Sequence, residues 1–433
     1  IKGAPERLLQ SCHVEVTAIG RQPLDPGHLE TAGALAREGF RVLALAIRED
    51  DSEGDLESGW SFLGLVGLID PPRQGVSEAI RECTNAGIVP VMITGDHPST
   101  ALAIAARIGI SSGAGNAITG EELATMSDME LERRIEDIRV YARVNPEQKI
   151  RIVRALQNAG HFVAMTGDGV NDAPALKHAT IGIAMGERGT EVAREAAEIV
   201  LLDDSFATIV AAVHEGRRVF DDIRKFIRYT LTSNSGEIWV LMLAPFLGLP
   251  IPLLPLHILW INLVTDGLPG LALSAEPAER DVMQRPPRPA EEGIFSTEMI
   301  AHIFWIGLAI GGLTLGVQAW ALARDVAHWQ TMVFTVLVVS QLFHSMAIRS
   351  ERESLFTIGL FSNPALLLAI AVTVAAQLLV IYLPPLNAVF GTAPLSATEL
   401  GVCFGLGALV LLLVEADKLV RRLRQRSTRS RSS

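Results

Sequence analysis

A series of long apolar segments in the second half of the chain constrains its fold more than any other feature. Six such segments lie at about 226–249, 254–275, 299–323, 329–348, 364–384 and 397–417. Each is close to the ~20 residues that an α-helix needs to cross a bilayer. Buried helices of a soluble protein are the alternative for any single segment. Six in succession, in a chain of mean hydropathy +0.32, favour an all-α transmembrane domain of six helices over residues 226–417.

Charge is distributed unevenly between the two halves. Residues 226–433 contain fourteen basic and fourteen acidic residues, so the net charge of −11 lies in residues 1–225. The loops after the second and fourth segments and the tail 418–433 are basic, whereas the loops 250–256 and 384–395 have no Lys or Arg. The positive-inside rule therefore predicts that the soluble half and the tail are cytoplasmic. An acidic soluble half argues against nucleic acid as a partner and leaves the lipid bilayer as the expected one.

The first half alternates short β-like runs with amphipathic helical patterns. Strands are predicted at 63–69, 88–93, 139–142, 162–165, 181–184 and 199–202. Helices are predicted between them at 75–86, 99–108, 146–159, 172–178 and 190–196. This alternation indicates a Rossmann-like α/β domain over residues 64–225 with a mostly parallel sheet. In such domains ligands bind in the loops that follow the strands.

Three groups of residues near predicted strand ends suit the handling of phosphate. The run 166–172, Thr-Gly-Asp-Gly-Val-Asn-Asp, has glycines that let the backbone approach a phosphate, and Asp168 and Asp172 are oxygen ligands of the kind that Mg²⁺ accepts. Thr94-Gly95-Asp96 offers a hydroxyl and backbone amides, and Lys149 offers a cation. A simple turn or a solvated lysine is the alternative for each. The three groups together, each near a strand end, favour a phosphoryl site.

Ionisable residues inside the apolar segments are a second candidate site, because such groups are costly in a membrane. Asn234 and Glu237 are one helical turn apart in the first segment, and Asn262, Thr265 and Asp266 share a face of the second. Two carboxylates with amide and hydroxyl oxygens suit a hard cation such as Ca²⁺ better than a soft metal. Hydrogen bonding between helices is the alternative.

Together these motifs resemble the C-terminal half of a type-II P-type ATPase of the calcium-pump kind. The resemblance covers nearly the whole chain, and the matching runs are Lys2-Gly3-Ala4-Pro5-Glu6, Asp70-Pro71-Pro72-Arg73, Met92-Ile93-Thr94-Gly95-Asp96, residues 167–176, Asn234-Ser235-Gly236-Glu237 and Asn262-Leu263-Val264-Thr265-Asp266-Gly267. It implies the end of a nucleotide-binding domain at 1–63 and a haloacid-dehalogenase-like phosphorylation domain at 64–225. It also implies ATP-driven cation transport through an aspartyl phosphate.

The resemblance assigns roles to the residues of the phosphoryl site. Thr94, in the loop with Gly95 and Asp96, and Lys149 would hold the phosphoryl group, as such transfer requires. Asp168 would bind Mg²⁺, and Asn171 and Asp172 would complete the site. Lys2, Arg41 and Arg143 match residues that contact ATP in the family.

The same resemblance assigns the transported cation to five residues of the apolar segments. They are Asn234, Glu237, Asn262, Thr265 and Asp266, which match Ca²⁺ ligands, with Mn²⁺ as the alternative substrate. Gln341 stands where a pump with two calcium sites has a glutamate, so a single ion per cycle is predicted. Glu415 and Asp417, at the end of the sixth segment, are expected to be interfacial rather than ligands.

Two motifs of the family are absent from the sequence: the phosphorylated Asp-Lys-Thr-Gly-Thr segment and the Thr-Gly-Glu-Ser loop. Thr119-Gly120-Glu121-Glu122 imitates the second but is expected to start an ordinary helix. Because the chain opens at Ile1 in the middle of a motif, we interpret it as a piece of a longer polypeptide, inactive without its N-terminal half. The alternatives are a membrane-anchored phosphatase, with Asp70 as its nearest nucleophile, and a non-catalytic, truncated membrane protein that binds ions.

Overall fold

A computed structural model describes residues 1–48, 59–69, 71–112, 117–289, 293–351 and 353–432, with side chains up to residue 423. The chain divides into two compact units. The first comprises Ile1–Val213 and Met283–Ala290, and the second comprises His214–Val282 and Glu291–Ser433.

The first unit begins with a five-stranded sheet. Its strands are β1 (Lys2–Gly3), β2 (Cys12–Thr17), β3 (Gly20–Pro23), β4 (Arg41–Ile47) and β5 (Trp60–Leu68), in the order β1-β4-β5-β2-β3. Helices Pro5–Leu8 and Gly27–Arg37 accompany it, with a 3₁₀ turn at Leu9–Ser11. The strand predicted at 63–69 therefore exists, but it pairs here with β4 and β2, and the prediction that it joins the parallel sheet was wrong. Its partner β4 is an equally apolar run, so the two strands bury one another's side chains.

Two three-stranded parallel sheets follow in the first unit. One has β6 (Met92–Ile93), β7 (Ile118–Thr119) and β8 (Val140–Ala142) in the order β6-β8-β7, and the other has β9 (Ala164–Gly167), β10 (Ile181–Met185) and β11 (Ile199–Leu201) in the order β11-β10-β9. The helices of this region are Val76–Asn85, Pro98–Ile108, Gly120–Thr125, Asp128–Arg134, Pro146–Asn158, Ala173–His178 and Glu191–Ala196. The predicted α/β alternation is thus confirmed, with strand bounds shifted by a few residues.

Helix Pro146–Asn158 connects the cores of the two parallel sheets. Asn145 caps it by accepting the Gln148 backbone N–H at 2.9 Å, and the Gln148 side chain accepts the Asn145 N–H in return. This reciprocal capping box and a proline at the first helical position fix where the helix begins. Ile152 packs in the core of the β6-β8-β7 sheet and Val153 in that of the other. Lys149 is thereby held in the first turn, next to the ends of the strands.

The second unit is helical. Its helices are the C-terminal part of Phe206–Phe246, Pro255–Trp260, a π-helical turn at Ile261–Thr265, Gly267–Leu273, Thr297–Ala323, Trp329–Ala347, Leu355–Ile358, Pro364–Tyr382, Pro384–Phe390 and Ala397–Ser432. Five stretches among the described residues are long and apolar enough to cross a membrane: Pro255–Leu273, Thr297–Ala323, Trp329–Ala347, Pro364–Tyr382 and Ala397–Leu423. The first of the six predicted spans is helical but is not among them, because its polar residues between 230 and 237 lower its hydropathy. Its membrane location stays a prediction.

Close packing joins the long helix Phe206–Phe246 to Thr297–Ala323. A Cβ added to Gly311 would lie 2.7 Å from the Trp239 Cβ, and one added to Gly236 would lie 3.0 Å from the Ile310 Cγ2. Glycine at both positions therefore lets the two backbones approach, as small residues do between membrane helices. This contact fixes the helix face that carries Glu237.

Candidate functional site

Lys149 and Asp172 form the centre of the candidate phosphoryl site. The Lys149 Nζ lies 2.6 Å from Asp172 Oδ1, and both side chains are mostly buried. A lysine in the first turn of a helix opposes the helix dipole, so its position there requires a negative partner. Asp172 provides that charge from the turn between β9 and helix Ala173–His178.

The glycines of the run after β9 shape this turn. The Gly169 N–H donates to Asp172 Oδ2 at 3.1 Å, and a Cβ at Gly167 would lie 2.5 Å from the Asp172 Cβ. Asp172 is therefore bound on both oxygens, whereas Asp168, one residue beyond the strand end, is exposed. Within the described residues the Asp168 carboxylate has no hydrogen bond or ion pair. Asn171 is also exposed.

Thr94 and Asp96 form a second, separate cluster beyond the end of β6. The Asp96 N–H donates to Thr94 Oγ1 at 3.1 Å, the Thr94 hydroxyl donates to Asp96 Oδ2 at 3.2 Å, and Gly95 lies between them. The Arg143 N–H donates to the Asp96 carbonyl at 3.2 Å, and the Arg143 guanidinium pairs with Glu6. Among the described residues no hydrogen bond or ion pair was found that joins this cluster to Lys149 and Asp172.

Arg143 has a backbone conformation typical of a functional position, and the neighbouring His97 has a structural role. Arg143 has a φ of 53°, a left-handed conformation that is costly for a residue with a Cβ and is found at functional positions. His97 caps helix Pro98–Ile108 by accepting the Ser99 N–H on Nδ1 at 3.3 Å, a role that needs a neutral ring. Burial and the nearby Arg143 guanidinium hold the pKa of His97 below its ordinary value, although Glu6 acts in the opposite direction. His97 is therefore explained as a helix cap.

The two predicted ATP contacts in the five-stranded sheet lie on one face but apart. Lys2 pairs with Leu45 of β4, and Arg41 is four residues earlier on the same strand. Residues that lie opposite one another, or an even number of positions apart on one strand, share a face of the sheet, so Lys2 and Arg41 lie on the same face. Four residues at about 3.3 Å each separate them by about 13 Å along the strand. Both are exposed. The arrangement suits an extended ligand, and the ATP contacts themselves stay a prediction.

The predicted cation site contains two buried carboxylates. Glu237 is 5% exposed and Asp266 is 4% exposed, and their charges lie close enough to interact. The Gln341 amide donates to Glu237 Oε1 at 3.2 Å, which places this third helix beside the pair. In the described part of the chain neither carboxylate has a salt bridge, and both Asp266 oxygens are buried without a hydrogen-bond partner.

Further oxygen atoms surround this pair. The Oγ1 of Thr265 and the Oε1 of Gln341 are buried and likewise have no partner among the described residues. Asn262 is exposed at the edge of the site, where its amide donates to the Ile258 carbonyl at 2.9 Å and also interacts with Glu237. Asn234 is half-buried.

The helix that carries Asp266 is irregular. It has a π turn at Ile261–Thr265 and is regular over Gly267–Leu273. The Asp266 N–H donates to the Ile261 carbonyl, five residues back, at 2.9 Å. Asn262, within this turn, is exposed, whereas Asp266, directly after it, is buried. π turns of this kind occur frequently at functional sites.

Sequence reasoning missed two hydroxyls next to Asp266, those of Ser233 and Tyr229. Tyr229 is fully buried, and its hydroxyl donates to the Thr265 carbonyl at 2.7 Å. One signal in the sequence could have indicated a partner for that carbonyl, namely Pro269 four residues after Thr265. Nothing in the sequence identifies Tyr229 as that partner.

Several expectations about other residues can be compared with the structure. Glu415 is bound by Lys418 at 2.8 Å and by the Ser354 hydroxyl at 2.5 Å, and Asp417 pairs with Arg421, so these carboxylates serve local contacts. Thr119 and Glu122 form a capping box, which confirms an ordinary helix start. Asp70, the nucleophile of the alternative phosphatase reading, lies outside the described residues.

Comparisons with known proteins agree with this arrangement. A family model described as haloacid dehalogenase-like hydrolase matches residues 10–180, and one described as cation transporting ATPase, C-terminus, matches residues 250–420. The chain is 42% identical to calcium-transporting ATPase 1 of Bacillus cereus over 97% of its own length and 50% of that protein. It is 43% identical to the calcium-transporting ATPase of Bacillus subtilis over 97% of its length and 48% of the relative. It is 38% identical to the human calcium-transporting ATPase type 2C member 1 over 100% of its length and 47% of the relative.

The chain is therefore similar in sequence to cation-transporting ATPases over almost its whole length. In particular, its homologues are calcium-transporting P-type ATPases, and it is a multi-pass membrane protein. The chain spans about half the length of the curated relatives that it matches.

Proposed function

We propose that the protein containing this chain transports Ca²⁺ across a membrane at the expense of ATP, through an aspartyl phosphate. The chain supplies the phosphoryl-binding residues, part of the nucleotide site and most of the cation site. The phosphorylated aspartate and the remaining spans would come from residues outside this chain. One Ca²⁺ per cycle is proposed, because Gln341 is a neutral ligand where a second site needs charge.

The observation that carries this proposal is the uncompensated Glu237–Asp266 pair. Two carboxylates of at most 5% exposure, with no basic partner in the described residues, are unstable together as anions. They require either protons or a cation. The oxygen atoms without partners around them match the ligands that Ca²⁺ takes from proteins, and Mn²⁺ is the alternative substrate.

The phosphoryl site supports the enzymatic part of the proposal. We expect the Lys149 ammonium to neutralise charge on the transferred group, with Asp172 holding it in position. The Thr94 hydroxyl and the Gly95 backbone would orient the phosphoryl oxygens. Such positioning and charge neutralisation account for most of the catalysis of phosphoryl transfer.

The residues present also fit a Mg²⁺ ion. Asp172 is bound by Lys149 and by a backbone N–H, whereas the exposed Asp168 carboxylate is available as an oxygen ligand. Mg²⁺ bound there would reduce the charge repulsion between the phosphoryl group and the carboxylates. Asp168→Asn should therefore lower Mg²⁺-dependent phosphoenzyme formation at least about 100-fold, the loss typical of an electrostatic catalytic group. Normal phosphoenzyme levels would remove Asp168 from the metal site.

Asp266→Asn in the complete protein tests the cation site. It removes one buried charge with little change in volume, so Ca²⁺-dependent phosphorylation by ATP should be lost while nucleotide binding is retained. Asp325→Asn is the matched control, since Asp325 is an exposed residue in the turn after helix Thr297–Ala323 and its left-handed φ of 48° suits Asn equally well. Unchanged Ca²⁺ activation in the Asp266 variant would refute the assignment. Equilibrium binding of two Ca²⁺ per wild-type protein would refute the proposed stoichiometry.

We also propose that the α/β unit faces the cytoplasm. The support is the basic character of the loops and tail that would share its side of the membrane. Labelling of a cysteine introduced at the exposed Val89 should require permeabilised cells. Equal labelling of intact cells would contradict this orientation.

A further inference from the structure

The backbone carbonyl of Thr265 lacks the partner that a regular helix would give it. In an α-helix that carbonyl accepts the N–H of the residue four positions later, which here is Pro269, and proline has no N–H. The carbonyl belongs to the residue that precedes Asp266, and it lies in the buried part of the cation site. A buried carbonyl without a partner is costly, so the fold or a ligand must supply one.

Tyr229 supplies that partner. Its hydroxyl donates to the Thr265 carbonyl at 2.7 Å, and the side chain is fully buried. The tyrosine ring is stacked on the His344 ring at a centroid distance of 6.0 Å. A Cβ at Gly270 would be in ordinary contact with Tyr229 Cδ1, at 3.7 Å, but only 2.8 Å from Phe226 Cε2, so glycine there makes room for Phe226. The hydroxyl is held in place by the burial and the stacking of its ring.

The Asp266 carboxylate is a second acceptor near this hydroxyl, and Ser233 lies beside it. The Tyr229 hydroxyl nevertheless lies at full hydrogen-bond distance from the Thr265 carbonyl, whereas both Asp266 oxygens lack a partner at such a distance among the described residues. Tyr229 occupies the one backbone oxygen of the site that the proline leaves open.

We propose that Tyr229 determines the ion selectivity of this site by withholding the Thr265 carbonyl from the cation. This inference rests on the cation-transport function proposed above. Ca²⁺ takes six to eight oxygen ligands and often includes backbone carbonyls. Six oxygens serve Mn²⁺ as well as Ca²⁺. Keeping one carbonyl occupied therefore limits the number of ligands and lets Mn²⁺ compete with Ca²⁺.

Tyr229→Phe tests this inference, with equilibrium binding of radioactive Ca²⁺ and Mn²⁺ to the purified full-length protein as the assay. The variant keeps the ring and its stacking and removes the single hydroxyl. The Thr265 carbonyl then becomes an additional ligand, and the ratio of the Mn²⁺ to the Ca²⁺ dissociation constant should rise about tenfold, since ligand number tunes affinity over this range. Tyr382→Phe is the control, because the Tyr382 hydroxyl also donates to a backbone carbonyl at 2.7 Å, that of Leu395, elsewhere in the unit.

A second variant provides a rescue. Pro269→Ala restores a backbone N–H four residues after Thr265, so the helix itself can occupy the carbonyl. The double variant Tyr229→Phe with Pro269→Ala should therefore return the ratio close to that of the wild type. A merely structural role of Tyr229 would lower both affinities together, and a second change in the helix would not repair them.

The outcomes separate the two proposals. Binding of neither ion by the wild-type protein would overturn the proposed function itself. Binding by the wild type with an unchanged ratio in Tyr229→Phe would overturn the selectivity role alone, as would a raised ratio that Pro269→Ala fails to restore. A raised ratio that is restored in the double variant, with Tyr382→Phe unchanged, supports it.

Discussion

Replacing Lys149 with methionine should destabilise the phosphoryl site, and the structure indicates by how much. The Lys149 ammonium lies 2.6 Å from Asp172 Oδ1, a separation at which the Coulomb energy is about 6 kcal/mol for an effective dielectric constant of about 20. The net effect is smaller, because the ammonium regains its hydration on unfolding. Removing one partner of a buried pair costs about 3–5 kcal/mol. The two side chains are 14% and 12% exposed, so we expect about 3 kcal/mol, the lower end.

Asp172→Asn should cost less. The Asn oxygen can still accept the Gly169 N–H, and Lys149 can turn toward water, so the expected loss is about 1 kcal/mol. In the double variant neither charge remains unpaired. Its loss should therefore be smaller than the sum of the two single losses by about 2 kcal/mol, the coupling expected of residues in contact.

Native-state hydrogen exchange of peptides that cover residues 164–178 measures these differences in the intact protein. Lys177→Met is a matched control, because Lys177 is exposed in the last turn of helix Ala173–His178. A loss below about 0.5 kcal/mol in Lys149→Met, the range of ordinary surface substitutions, would refute the reasoning. Additive losses in the double variant would refute the pairing.

Four further predictions concern separate features. A Cβ at Gly120 would lie against two oxygens of the facing segment, one of them 2.8 Å away, so Gly120→Ala should destabilise the α/β unit by about 1–3 kcal/mol in hydrogen exchange. Gly216→Ala, in open space inside a helix, should instead stabilise by about 0.5–1 kcal/mol. Burial raises the pKa of Asp222 to about 6, so the local stability of its helix should decrease as the pH rises from about 4 to about 6. Hydrogen exchange measured across that range should show this decrease, and Asp222→Asn should abolish it. Gln341→Met removes the amide that binds Glu237 and should weaken equilibrium Ca²⁺ binding about tenfold or more, with nucleotide binding unchanged.

The turn after β9 could be predicted because its residues are adjacent in the sequence, whereas the phosphoryl site as a whole stays a prediction. A strand followed by a glycine-rich turn with two aspartates fixes both the position and the nature of the group, as the Gly167–Asp172 contact shows. The pairing of Lys149 with Asp172 joins residues 23 positions apart, and the resemblance placed both residues in one site without predicting their contact. The Arg143–Glu6 pair, 137 positions apart, was not predicted.

One strand was assigned to the wrong sheet, and one predicted span stays a prediction, where the sequence pattern is ambiguous. The apolar pattern at 63–69 is compatible with a strand of the five-stranded sheet or of a parallel sheet. In the structure this strand pairs with β4 in an antiparallel register, which places it in the five-stranded sheet. The segment 226–249 was counted as a span because of its length, yet its polar residues, which include the candidate ligands, lower its hydropathy below that of the other five. A helix that carries an ion site is therefore the one that a hydropathy criterion identifies least well.

The ligand set of the cation site was the part of the protein least predictable from the sequence. Asn262, Thr265 and Asp266 share a face in an ideal helix, but the structure has a π turn at Ile261–Thr265, and Asn262 is exposed while Asp266 is buried. Pro269 in the sequence indicates that the Thr265 carbonyl lacks its helical hydrogen-bond partner. Whether that oxygen contacts a cation, a water molecule or a side chain depends on a residue from another helix. Tyr229 resolves this by donating to it. The ligand set of such a site is therefore decided by the groups that compete with the cation for its oxygens, and these are visible only in three dimensions.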